Sequence, residues 1–233
     1  MIYKNVAKPE LFDLYYEIKN NTLFKDYILG GGTALALQLG HRISTDIDIF
    51  TTSNHNNKDI LNELDEKYKN YYIINIGNSV LEIVLKNIKL DFIKDNSNII
   101  EIPKTEENIT YFSVKDISAM KLRAILTRTK SRDYIDIAYI MQNMSLNDMF
   151  ENYKCKYESD DISVIKIALL KSKNITKEEW EKDIYMLKND IKFESIPKLI
   201  KTELMKYNKK HNMGNKNTLI DKMKYLLRNT HGE

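Results

Sequence analysis

The chain has 233 residues, 42% of them hydrophobic and 30% charged, with 36 Lys and Arg against 33 Asp and Glu, one cysteine, seven glycines and three prolines. That apolar share excludes a disordered chain, and the longest apolar run, the five residues Ile137 to Met141, excludes a membrane-spanning helix. Cys155 alone excludes an internal disulfide or a cysteine zinc cluster; a soluble cytoplasmic protein with no membrane partner is expected, since Met1-Ile2-Tyr3-Lys4-Asn5 opens no secretory signal.

Leu11, Leu14, Tyr15 and Ile18 recur at helical spacing and predict an amphipathic helix over about residues 9–20. Tyr27-Ile28-Leu29 reads as a short buried strand running into Gly30-Gly31-Gly32, and Thr33 to Leu37 opens a helix that stops near Gly40. Asp46 to Phe50 alternates as a strand, and a polar helix follows over about 57–69. Tyr71–Ile76, Val80–Leu85 and Ile88–Ile93 are strand candidates separated by Asn78-Ser79 and Asn87. Beyond Pro103 the pattern turns helical and stays so, with helix starts at Ser113 (with Asp116), at the capping box of Thr176 and Glu179, and at Pro197. The expected organisation is α+β: an α/β core over residues 1–110 and an all-helical region over 111–233. Charge divides in the same sense: residues 1–120 hold 13 basic and 17 acidic side chains, and residues 121–233 hold 23 and 16. An acidic half suits cations, and a basic half suits a polyanion such as nucleic acid.

Average usage would give roughly 16 glycines in a chain this long, so three of only seven in a row mark a place where backbone freedom is concentrated. Glycines ahead of a helix let backbone N–H groups approach a phosphate at the positive end of the helix dipole. On the following strand Asp46 and Asp48 share a face, because the side-chain period is two. Two adjacent carboxylates repel unless a cation joins them, and Mg²⁺ takes one or two carboxylates together with substrate phosphates. An anion cradle beside a metal clamp is the equipment of phosphoryl or nucleotidyl transfer. Asp91, a charge within the strand Ile88 to Ile93, is the expected third carboxylate, with Glu82 as second choice. No P-loop, dinucleotide fingerprint, nucleophile elbow or zinc-protease motif occurs, and His41, His55, His211 and His231 lack metal-ligand spacing.

Gly31-Gly32-Thr33-Ala34-Leu35-Ala36-Leu37, followed by His41-Arg42-x-Ser44-x-Asp46-Ile47-Asp48-Ile49-Phe50, resembles the first signature of the AbiEii/AbiGii toxin family of the nucleotidyltransferase superfamily. Lys121-Leu122-x-Ala124-Ile125-x-x-Arg128-x-Lys130-x-Arg132-Asp133-Tyr134-x-Asp136-Ile137 is similar to that family's later motifs. The resemblance implies a polymerase-β-like core, with a mixed sheet flanked by helices. It implies that Asp46, Asp48 and Asp91 hold Mg²⁺, as one or two ions, with Mn²⁺ as a substitute, and that Asp91 helps deprotonate the attacking hydroxyl. Gly31, Gly32, Thr33, Arg42 and Ser44 would contact the NTP, and Lys121 would neutralise developing phosphate charge. Asp133 and Asp136 match acidic positions of the last motif, Asp136 being counted among the catalytic residues. The implied activity is transfer of NMP from an NTP to RNA, such as a tRNA 3′ end, by a toxin with a cognate antitoxin or a role in phage defence. Transfer to a small antibiotic-type acceptor, or a non-catalytic nucleotide- or RNA-binding module, are the alternatives. Read from helical spacing alone, Lys121 is equally a solvated lysine and Arg132 with Asp136 an i,i+4 ion pair.

Overall fold

The structure, a computed structural model, describes residues 1–53, 55–182 and 184–211; His231 and the basic residues beyond 211 lie outside them. Its centre is a seven-stranded mixed sheet in the order β3-β4-β5-β2-β1-β7-β6. The strands are β1 (Ile28–Leu29), β2 (Asp46–Thr51), β3 (Tyr71–Gly77), β4 (Val80–Leu85), β5 (Ile88–Lys94), β6 (Lys104–Glu106) and β7 (Ile109–Tyr111). The helices are α1 (Pro9–Lys19), α2 (Gly31–Leu39), α3 (Asn57–Lys67), α4 (Val114–Thr127), α5 (Ser131–Ile140), α6 (Leu146–Tyr157), α7 (Ser163–Leu170) and α8 (Lys177–Glu181), and residues 196–211 form a further helical stretch with Pro197 in its first turn.

Local chemistry accounts for most boundaries. Pro9 starts α1, where its missing N–H costs nothing. Gly40 ends α2 in the left-handed region at φ 63°. Ser113 caps α4 by accepting from the Asp116 N–H at 3.1 Å, and Thr176 with Glu179 forms the expected capping box on α8. In β2 the alternation holds: Ile47 and Ile49 are buried while Asp46 and Asp48 face the opposite, partly open side. That side carries the site.

The expectation that the chain is wholly helical beyond Pro103 is corrected. Residues 104–111 form a hairpin, and β7 pairs with β1 in parallel, Leu29 opposite Tyr111. Its turn residues Glu107 and Asn108 have φ 49° and 62°, a primed turn built without glycine. The strands are only three residues long and β6 is Lys-Thr-Glu, so no apolar alternation announces them. Helix α4 packs against α2, α5, α6 and α7, and so joins the helical part to the sheet. No helix among the described residues is long and apolar enough to cross a membrane.

Candidate active site

Strand β1, the glycine turn, α2 and β2 form one unit. The Gly30 N–H donates to the Asp48 carbonyl at 2.8 Å, which fixes the turn against β2. The first intrahelical bond runs from the Ala34 N–H to the Gly30 carbonyl, so the N–H groups of residues 31–33 precede it and face the cleft end of the helix dipole. Gly31 has φ 61°, and a Cβ there would collide with the Asp48 carboxylate. A Cβ on Gly32 would strike the terminal guanidinium nitrogen of Arg42. The glycines are therefore required both by the turn and by the charged groups packed upon it.

Pairing of β2 with β5 in parallel sets Asp48 directly opposite Asp91, and β4 sets Glu82 opposite Asp91 on the other side. Strand pairing thus sets Asp91 beside Asp48, with Asp46 two positions along on the same face of β2 and opposite Lys89. These carboxylates border a cleft of about 420 Å³ that also receives Gly31, Gly32, Arg42, Ser44 and Lys121. Seven basic and five acidic side chains line it.

Two cations engage the carboxylates. Lys89 bonds Asp91 and reaches Glu82 at 3.1 Å, and Arg132 bonds Asp46 at 3.1 Å. Among the described residues no three His, Cys, Asp or Glu side chains converge as metal ligands. The donor set nevertheless fits a hard divalent cation. Asp91 Oδ1 is buried without a hydrogen-bond partner, and Asp46 and Asp48 lie on one strand face. Burial, then the Asp46 charge, raises the Asp48 carboxyl above its usual range. Burial, then the Asp48 charge, pushes Asp91 up to about 7. A cation between them would relieve both.

This has a measurable consequence. Native Asp91 keeps its proton up to about 7, whereas its ordinary value is 3.8. Between those values the native state binds more protons than the unfolded one, so stability falls as pH rises. In EDTA, Asp91→Asn is expected to gain melting temperature over wild type more near pH 7.5 than near pH 5.5, since the opposing contribution of His41 and His55, whose imidazoles burial lowers, is common to both proteins. Mg²⁺ should raise the wild-type melting temperature most at the higher pH. Thermal melts of both proteins in EDTA, and of wild type in Mg²⁺, check this; a difference between the two proteins that shrinks as pH rises contradicts the assignment.

Beneath the cleft lies a buried ionic network. Asp136 on α5 is fully buried. It accepts Arg42 Nε at 2.7 Å and a terminal Arg42 nitrogen at 2.9 Å, His41 Nε2 at 2.8 Å and Lys121 Nζ at 2.6 Å. Burial alone would raise its carboxyl, but the Arg42 and Lys121 charges hold it well below the usual range. Burial lowers His41, leaving a neutral imidazole whose Nδ1 has no partner. Lys121, although 5% exposed, borders the cleft and is shared with Asp133 at 2.9 Å, which also receives Arg128 at 2.8 Å.

The expected residues therefore separate by position. Asp46, Asp48, Asp91, Gly31, Gly32, Arg42, Ser44 and Lys121 border the cleft. Thr33 and Asp136 are buried outside its lining. The Thr33 hydroxyl lies 2.8 Å from Ser44 Oγ and donates to the Asp46 carbonyl, so it braces the loop. Asp136 orients Arg42 and Lys121. The alternative readings of the second motif are corrected: Lys121 is buried, and Arg132 pairs with Asp46 rather than with Asp136. Lys89, Arg128 and Arg132 are cleft residues not anticipated as such. Lys89 was detectable, because it stands two strand positions from Asp91 and so shares its face.

A strand leads into a glycine turn at a helix N-terminus, and that turn and an Asp-x-Asp strand border one cleft, its lining more basic than acidic. The chain matches the family described as nucleotidyl transferase AbiEii toxin, type IV TA system, over residues 13–200. It belongs to this family. As an AbiEii-family protein it is a nucleotidyltransferase and a toxin of the type IV toxin–antitoxin class. It is 26% identical over 180 residues to aq_aa25 of Aquifex aeolicus (strain VF5), described as an uncharacterized protein, covering 75% of this chain and 87% of the relative. The crystal structure of JHP933 from Helicobacter pylori has the same overall fold, with a TM-score of 0.53 at 17% identity, covering 94% of this chain and all of that one.

Proposed function

We propose that this AbiEii-family protein transfers a nucleotidyl group from an NTP to a hydroxyl of RNA, such as a tRNA 3′ end, in a Mg²⁺-dependent reaction. The observation that carries this reading is the glycine turn at the start of α2 packed beside Asp48 and on the same cleft as Asp46, with a lining more basic than acidic. An excess of basic groups suits polyanions and disfavours a cationic small-molecule acceptor.

The N–H groups of Gly31 and Gly32, with Ser44 and Arg42, bind the triphosphate at the helix N-terminus, while buried Thr33 braces the loop. The Mg²⁺ that Asp46 and Asp48 would hold, with Asp91 offering its free Oδ1, supplies Lewis-acid charge at the phosphate oxygens. The acceptor hydroxyl oxygen forms a bond to the α-phosphorus, the bond from that phosphorus to the bridging oxygen breaks, and pyrophosphate leaves with the electron pair. Asp91, facing the cleft beside Asp48, takes the hydroxyl proton. Lys121 lies at the cleft floor, where its ammonium offsets charge building on the transferred group. Residues 1–110 supply the carboxylates and the turn, and 111–233 supply Lys121 with the buried carboxylates that orient it. A cognate antitoxin is the expected partner.

The test is incubation with each labelled NTP, Mg²⁺ and total RNA, beside an Asp46→Ala/Asp48→Ala double variant. Label entering RNA with wild-type protein alone supports the reading. Pyrophosphate released without any RNA labelling assigns a different acceptor, and equal labelling by the double variant refutes the metal site.

A further inference from the structure

A second cleft of about 510 Å³ opens beside the first and shares Lys94, Asp95, Arg123 and Tyr157 with it. Its position follows from β5. The strand carries Asp91 and runs on through Lys94 into residues 95–98, which form one wall. Three strand residues from Asp91 to Lys94 span roughly 10 Å, about the length of three stacked nucleotides at ~3.4 Å each. The opposite wall is the C-terminal end of α6 together with Arg123 of α4.

The wall is pre-formed. The Asn98 N–H donates to the Lys156 carbonyl at 2.9 Å, and its side-chain amide donates to Glu158 at 3.0 Å. Lys156 Nζ is tied to the Asn98 carbonyl and to buried Asp116 at 2.9 and 3.1 Å, so it serves as a strut rather than as a free charge. The cleft's two acids are engaged in the same loop: Asp95 accepts from the Ser97 N–H at 3.0 Å, and Glu158 accepts from Asn98. Ser97 Oγ, in contrast, is buried with no partner. Above this loop the exposed Arg123 lays its guanidinium 4.4 Å from the centroid of the Tyr157 ring. A cation stacked on an aromatic ring is a platform for an unstacked base of any identity, and duplex RNA does not offer its bases in that way.

We infer that this second cleft seats the single-stranded 3′ end of the acceptor RNA, with the Arg123 guanidinium, held on the Tyr157 ring, stacking its last base and delivering the terminal hydroxyl to Asp91. The inference rests on the RNA reading above, and it places the acceptor on the Asp91 side, opposite the glycine turn that takes the triphosphate. Base stacking at such platforms is sequence-tolerant, so the platform secures single-strandedness rather than base identity.

Binding of a fluorescent 12-nucleotide single-stranded RNA and of a non-hydrolysable NTP analogue, measured by anisotropy on the full chain, tests it. Tyr157→Ala and Arg123→Glu are expected to weaken RNA binding about tenfold or more and analogue binding by clearly less, since both residues only border the first cleft, while Tyr157→Phe stays near wild type. Arg123 is exposed, so its variant stands even if Tyr157→Ala unfolds. RNA binding unchanged in Arg123→Glu overturns the acceptor cleft, as does an equal loss of analogue affinity, which would place the nucleotide base there. Wild-type protein that binds the analogue but no RNA overturns the RNA reading itself.

Discussion

Replacing Asp48 by asparagine is expected to lower the nucleotidyl-transfer rate about a thousandfold without lowering the melting temperature of the metal-free protein. The first half follows from charge. Asp48 is the carboxylate nearest the glycine turn, since only a hydrogen at Gly31 fits beside it, and it stands directly opposite Asp91. Removing one anionic ligand for a divalent cation forfeits several kcal/mol of transition-state stabilisation, and about 1.4 kcal/mol is tenfold in rate. The second half follows from the sign of the shift. Burial and Asp46 raise the Asp48 carboxyl, so its ionised form costs folding energy in the absence of metal, and a neutral amide of the same shape removes that cost. Single-turnover rates and thermal melts on the same preparation decide it. A rate within tenfold of wild type, or a large drop in melting temperature in EDTA, would falsify the assignment of Asp48 as a metal ligand.

Asp136→Ala is expected to cost about 3–5 kcal/mol of folding stability, the usual consequence of stranding buried charges. The Arg42 guanidinium loses both of its carboxylate bonds and Lys121 loses one of two, and with each only 5% exposed at the cleft, water replaces little of what is lost. Against a typical total of 5–15 kcal/mol, that loss brings the protein near unfolding. Asp136→Asn keeps the volume and an acceptor oxygen, and its cost should be smaller. Because the native carboxyl lies well below 3.8, the contribution of the wild-type residue is complete above that value and is lost only as pH falls through the native one. Urea unfolding near neutral pH measures the difference directly; an Asp136→Ala midpoint close to wild type would show that the network is not structural. The same variant should lose activity more than stability alone predicts, because Arg42 and Lys121 reach the cleft from this carboxylate.

Much of this site was legible in the residues themselves. The glycine turn, α2 and β2 occupy 22 consecutive positions from Gly30 to Thr51, and each signal there is local: a left-handed turn needs glycine, Gly40 ends a helix, and period two sets Asp46 and Asp48 on one face. The β3–β4–β5 meander was legible for the same reason, with Asn87 at φ 63° in the two-residue turn between β4 and β5. The β6–β7 hairpin was not, because Lys104-Thr105-Glu106 carries no apolar face and its turn uses Glu107 and Asn108. Sequence spacing also misdirected Arg132: an i,i+4 partner is always within reach on a helix, yet Asp136 points into the core towards Arg42 while Arg132 turns to Asp46.

By itself the sequence determined the local geometry of the anion-facing turn and the paired carboxylates, because those depend on backbone conformation and side-chain period over a few residues. Only the tertiary structure decided which third carboxylate meets them, through the parallel register that sets Asp48 against Asp91. It also decided that Lys89 pairs with Asp91 and Arg132 with Asp46, and that Asp136 is a buried anchor for Arg42 and Lys121 rather than a group open to substrate. Charge partners are chosen by burial and by which elements pack together, and neither quantity is written at any single position of the chain.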